Sequence, residues 1–118
     1  MKVSRALIAC SVLSALAVAC SDDSLKYSME DAQRKLGETI CPRVKSCFPD
    51  SFVQAYKDEQ ECIDKTVAVI PANRRQNESV CSRREIDTCM DDIRNAQCSV
   101  LFANGTLAYP ASCVKCMD

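Results

Sequence analysis

Apolar positions along this chain change their period several times. From Ala6 to Ala19 they form an almost continuous uncharged run (ALIACSVLSALAVA), with Lys2 and Arg5 just ahead of it and Asp22-Asp23 just behind. From Met29 the period becomes helical: Met29, Ala32, Leu36, Ile40 and Val44 make one stripe. Ser28-Met29-Glu30-Asp31 approximates a capping box, with Asp in the place of Glu or Gln. Gly37 weakens this helix and Pro42 removes a bond to the carbonyl of Glu38, so the expected helix runs from 29 to about 40, followed by a turn or a bent continuation. Pro49-Asp50-Ser51 stops and restarts the chain in a short turn that buries Phe52 and Tyr56. Asp58-Glu59-Gln60-Glu61 is a second capping-box match, after which Ile63, Val67 and Ile70 form an inner face that Pro71 ends.

Residues 71–81 (PANRRQNESVC) are polar and aperiodic and predict a loop. Ser82-Arg83-Arg84-Glu85 is the best capping box in the chain. It opens a stripe of Ile86, Cys89, Met90 and Ile93, with Arg84, Asp87, Asp91 and Arg94 outside. After Cys98, Asn104-Gly105 fits a two-residue hairpin turn or a helical turn capped by Gly105. Isolated hairpins are marginal in water, which favours the helical turn and an extended tail. The expected fold is all-α: a small disulfide-stapled bundle of about three to four helices with an irregular C-terminal tail, preceded by a signal peptide. No internal repeat is visible.

The basic start and the run to Ala19 have the n-region and h-region of a secretory signal over 1–19. At about fourteen residues the run falls short of the roughly 20 that span a bilayer. Ala17-Val18-Ala19 suits an ordinary signal peptidase, while Ala17-Val18-Ala19-Cys20 resembles the lipobox of bacterial lipoproteins, with Ala17 where leucine is commonest. Leu7-Ile8-Ala9-Cys10 is closer to the letter of that motif, but cleavage there would leave too short an h-region. Cys20 is therefore the expected lipidation site, and Ser21 resembles the residue that sends such proteins to the outer membrane. Residues 20–27 read as an acidic, lipid-anchored tether and 28–118 as the cysteine-rich domain.

With 118 residues there is room for one domain, and with three Phe, three Tyr and no Trp its core is poor in large apolar groups. Ten cysteines compensate, since at this density in an oxidising compartment they form a disulfide framework, typically worth about 2 to 4 kcal/mol per bridge. Loss of Lys2 and Arg5 takes 15 basic residues to 13 against 16 acidic, a charge of −3, which argues against a nucleic-acid partner. Arg74-Arg75 and Arg83-Arg84 read as solvated faces. After Ala19 there are nine cysteines, an odd number. If Cys20 carries lipid, Cys41, Cys47, Cys62, Cys81, Cys89, Cys98, Cys113 and Cys116 can close as four bridges.

Eight cysteines allow 105 connectivities. The expected pairs are Cys47 with Cys62 across the first turn and Cys41 with Cys89 between facing helices, leaving Cys81 and Cys98 to fix Cys113 and Cys116. In layout the chain resembles the small cysteine-rich lipoproteins of myxobacteria and related bacteria. The resemblance covers Cys20, the Cys41-Pro-Arg-Val-Lys-Ser-Cys47 segment, Cys62, the stretch from Cys81 through Arg84-Glu85-Ile86 and Cys89 to Cys98, and the ending Pro110-Ala-Ser-Cys113-Val-Lys-Cys116. It implies cell-envelope placement and a disulfide-stapled helical fold, and implies no activity.

The sequence contains no histidine, which removes Ser-His-Asp and Cys-His nucleophiles and His-ligated zinc. Asp22-Asp23, Asp58-Glu59-Glu61 and Asp91-Asp92 are explained by a tether, a helix start and a solvated helix face. Cys113-Val-Lys-Cys116 has the spacing of a redox pair but lacks the following helix that such chemistry uses. Asn77-Glu-Ser79 and Asn104-Gly-Thr106 match the glycosylation triplet by chance. No catalytic residue, metal or cofactor is expected. The reading is a non-enzymatic envelope module, tethered to the membrane through lipid on Cys20 and presenting a surface to an envelope or extracellular protein. The alternatives are an envelope thiol-disulfide protein using Cys113 and Cys116, or a secreted inhibitor-like domain.

Overall fold

Two helices start side by side, and each is held by the strand that leads into the other. A computed structural model describes residues 25–116. The expected signal peptide, Cys20 and the tether as far as residue 24 lie outside the described residues. Strand β1 (Lys26–Ser28) leads directly into helix α1 (Met29–Cys47), and β2 (Glu78–Ser82) leads directly into α4 (Arg83–Asn95). β1 and β2 pair antiparallel, Lys26 opposite Ser82 and Ser28 opposite Glu78, with an irregularity between. The orphan amides at the helix starts find partners across this junction. Met29 and Glu30 donate to the carbonyls of Asn77 and Arg75, at 2.7 and 3.0 Å, and the Arg83 amide donates to the Leu25 carbonyl at 3.0 Å. Ser28 also caps α1 by accepting from the Asp31 amide. At α4 the capping box is complete, Ser82 and Glu85 each accepting from the other's backbone.

This junction corrects two expectations. Lys26 and Tyr27 are part of the domain, not of a tether, and the 71–81 segment is a short 3₁₀ turn (Ala72–Arg74) followed by β2. The pairing joins residues 50 and 56 positions apart (78 − 28 and 82 − 26), which no local pattern reveals.

Between the two strands the chain forms α2 (Pro49–Ala55) and α3 (Glu59–Ala68), the latter capped by Asp58, whose carboxylate accepts from the Glu61 amide at 2.8 Å. Helix α3 runs antiparallel to α1: Cys62 is bonded to Cys41, while Asp64 lies opposite Arg34 at 3.7 Å. At Gly37 the two helices approach closely, and a β-carbon there would meet Ile63 Cα and Thr66 Cβ at 3.3 Å. Helix α4 runs in the same direction as α1, with Tyr27 donating to Asp87 near its start and Arg43 donating to the Ala96 carbonyl at its end.

Helix α1 extends through Pro42 to Cys47, beyond the expected stop near 40. Proline's fixed φ is helical, and its cost is the lost bond to the Glu38 carbonyl. The surroundings offset that cost, because Cys41 is bridged to α3, Arg43 is bonded to the end of α4, and Pro42 itself is exposed.

After α4 come α5 (Cys98–Leu101), the hairpin β3 (Phe102–Ala103) and β4 (Thr106–Leu107), and α6 (Ala111–Val114). The hairpin replaces the expected helical turn. Asn104 and Gly105 both have positive φ, 54° and 74°, as a type I′ turn requires. Packing removes the marginality of a lone hairpin: Leu101 and Phe102 are buried, and the Phe102 ring meets Phe48 edge-on at 5.1 Å. The described residues are thus mostly helical with two small antiparallel sheets. Its core gathers Leu36, Ile40, Phe52, Met90, Ile93 and Leu101 from four helices.

Four disulfides clamp this arrangement: Cys41–Cys62, Cys47–Cys98, Cys81–Cys116 and Cys89–Cys113. Cys81–Cys116 is one of the pairings that the expectation left open, and the expected Cys47–Cys62 and Cys41–Cys89 are replaced by Cys41–Cys62, Cys47–Cys98 and Cys89–Cys113. Cys62 meets Cys41 instead of Cys47 because α2 carries the chain back along α1, and six residues of helix separate the two candidates by about 9 Å. Cys41 consequently faces α3, and Cys89 on α4 is left to Cys113. Cys98 joins the end of α1 because α4 ends level with Arg43, which brings the next cysteine to Cys47.

Candidate functional site

The ends of the cap-sharing junction do not fill the space between the helices. Beside the 3₁₀ turn, between α1 and α4, a cavity of about 370 Å³ remains. Its walls are Met29, Ala32 and Leu36 from α1 and Ile86 and Met90 from α4, the same two stripes that the sequence pattern assigns to the core. The bridges Cys89–Cys113 and Cys81–Cys116 form part of the boundary, so covalent links fix the spacing of α4, β2 and α6 around it. Val69 and Val80 stand on the rim, 70% and 58% exposed. Ser79, buried on this wall, donates to the Cys81 carbonyl at 2.6 Å, so its hydroxyl is already used in holding the turn of β2.

Charge on this boundary is sparse and of one sign. Among the described residues that line it, Arg74 is the only charged one, with Gln33 adding an amide and no Asp or Glu. Arg74 is exposed on the 3₁₀ turn, and its side chain has no ion pair or hydrogen bond among the described residues. The neighbouring arginines are engaged: Arg75 Nε donates to the Ile70 carbonyl at 3.2 Å, and Arg83 lies over the Tyr27 ring at 5.1 Å. Arg83 is therefore half-buried packing and not the solvated face expected of it.

A second, smaller hollow of about 210 Å³ follows the α1–α4 seam past Lys35, Glu38, Asp87, Asp91 and Arg94. Both signs alternate there and Arg94 pairs with Asp91 at 2.9 Å, so the charges largely neutralise one another.

Titratable groups with displaced pKa values lie apart from the cavity. The Glu85 carboxyl is held at about 2, first by the Lys115 ammonium and then by the Ser82 amide. Glu61 is lowered by the Lys57 amide and Lys65, and burial raises the Tyr109 phenol. None of these three lines either hollow. The expected acidic pairs are occupied locally: Asp58 caps α3, Asp91 meets Arg94, and Asp92 accepts from Ser112 at 2.5 Å. Asp22-Asp23 lie outside the described residues. Among the described residues no three His, Cys, Asp or Glu side chains form a metal-sized group. Also among them, no helix is long and apolar enough to cross a membrane.

Cys113 and Cys116 are not bonded to each other but to Cys89 and Cys81, and no described cysteine is free. The cavity was legible only in part from the sequence, because Met29, Ala32 and Leu36 read as core and the polar 71–81 segment gave no sign that Arg74 and Val80 border an apolar space. Compared with protein-family models, curated proteins and solved structures, the chain matches none.

Proposed function

We propose that this protein is an exported, lipid-anchored and non-enzymatic binding module of the bacterial cell envelope. One observation carries the reading: the eight cysteines from Cys41 onward close entirely among themselves. Four bridges are compatible with an oxidising, exported location. They also leave no downstream partner for Cys20, the one further cysteine after the expected cleavage point and the residue at which the lipobox resemblance places a diacylglycerol. Two acyl chains on the glycerol and one on the amine exceed what stable anchoring requires. The layout shared with small cysteine-rich lipoproteins supports the same compartment, and Ser21 supports the outer membrane.

The binding role rests on the rigid, open cavity described above, in a molecule whose described thiols are all spent in structural bridges. Detergent phase partitioning of the protein from its native envelope tests the anchor. The wild type should enter the detergent phase and Cys20→Ala should stay in the aqueous phase. Recovery of the wild type in the aqueous phase would replace this reading with that of a secreted domain.

A further inference from the structure

The boundary of the larger cavity joins three properties that specify a ligand: an apolar lining, one cation that has no partner among the described residues, and walls held by disulfides. We propose that it binds a single-chain amphipathic anion, a fatty carboxylate whose head group sits at Arg74 and whose hydrocarbon chain lies against Met29, Ala32 and Val80, lining residues that keep accessible apolar surface. This gives the proposed binding module a ligand, but it does not depend on lipid at Cys20, so failure of the anchor would leave it standing.

The volume is in the range of small-molecule sites, roughly 300 to 1,000 Å³. A cavity of about 150 Å³ lined by apolar side chains accepts benzene, so 370 Å³ has space for an acyl chain of moderate length. Selection for an anion comes from the charge pattern. A cationic amphiphile would find no carboxylate among the described residues of the boundary to neutralise it, whereas a carboxylate would find the Arg74 guanidinium, whose planar fork suits two parallel hydrogen bonds. Val69 and Val80 on the rim are apolar surface in water, and a bound chain passing between them would cover it. Because Cys89–Cys113 and Cys81–Cys116 hold α4, β2 and α6 together, little ordering is left for the ligand to impose.

The test is calorimetric titration of the full exported protein, its four bridges intact, with decanoate, 1-decanol and decylammonium. Decanoate should bind saturably, and decylammonium should be weaker by roughly tenfold or more. Arg74→Glu, at an exposed site with no side-chain partner among the described residues, should reverse that order, and Val80→Asp on the rim should move it in the same direction. In wild type the methyl resonances of Met29 and Met90 should shift with decanoate, locating the ligand. Absence of saturable decanoate binding by about 1 mM, or equal binding of the two ions, would overturn the proposal. So would an unchanged preference in Arg74→Glu, and so would shifts confined to residues away from the cavity.

Discussion

Removing the Cys47–Cys98 bridge isolates the contribution of a disulfide more cleanly here than removing any of the other three. Cys98 is exposed and Cys47 half-buried, so serine hydroxyls at both positions can reach water, whereas Cys41 and Cys113 are almost fully buried and their loss would add a cavity. Cys47–Cys98 also closes the longest loop, with a sequence separation of 51 against 21, 24 and 35 for the others. In the chain-entropy account, closing a loop of 51 restricts the unfolded state by about 4 kcal/mol at room temperature. A domain of this size is stable by only about 5 to 15 kcal/mol in all. The double variant Cys47→Ser/Cys98→Ser should therefore unfold in urea at a midpoint lower by roughly 2 M, taking a slope near 2 kcal/mol per M. The slope itself should rise, because the unfolded chain is released. The transition is followed by far-ultraviolet circular dichroism. A loss under about 1 kcal/mol with an unchanged slope would refute both the pairing and the argument that this bridge acts on the unfolded state.

Two further outcomes follow from the packing and the charges. Gly37→Val should destabilise the fold by about 2 kcal/mol despite valine's better helix propensity, because its side chain would enter a 3.3 Å gap to Ile63 and Thr66 that Cys41–Cys62 prevents from opening. A thermal midpoint at or above wild type would contradict the close approach of α1 and α3. Glu85 is a carboxylate lowered from 4.5 to about 2, so it contributes stability above its unfolded pKa, and that contribution is lost as the pH falls from about 4.5 towards 2. Lys115→Met removes the first cause of the shift, and wild type should lose more stability than this variant across that window in acid unfolding. Equal losses would show that the Lys115–Glu85 pair does not set the titration.

How much of the fold was legible follows the range of each interaction. Helix α4 was readable because everything that makes it is local: Ser82 and Glu85 cap it, and Ile86, Cys89, Met90 and Ile93 lie within two turns of one another. Helix α1 was readable to Ile40 and then misjudged, since proline's local penalty is overruled by contacts to α3 and α4 that are distant in sequence. The β1–β2 pair was not legible, because three residues of Lys-Tyr-Ser carry no alternating pattern and their partners lie far along the chain. Asn104-Gly105 announced its turn plainly, and the wrong alternative was preferred only because the buried support from Leu101 and Phe102 was not in view. Disulfide pairing was legible least, since spacing states how far apart cysteines are along the chain and not which helix faces they occupy.

The central claim is an exported chain whose eight downstream cysteines are closed and whose remaining cysteine holds lipid. Intact mass of the protein purified from its native envelope, with and without thiol alkylation, tests it most directly. The account predicts the mass of residues 20–118 plus a diacylglycerol and one amide-linked acyl chain, less about eight hydrogens for the four bridges, with no alkylation. A mature chain without lipid, or alkylation at Cys113 and Cys116, would contradict it.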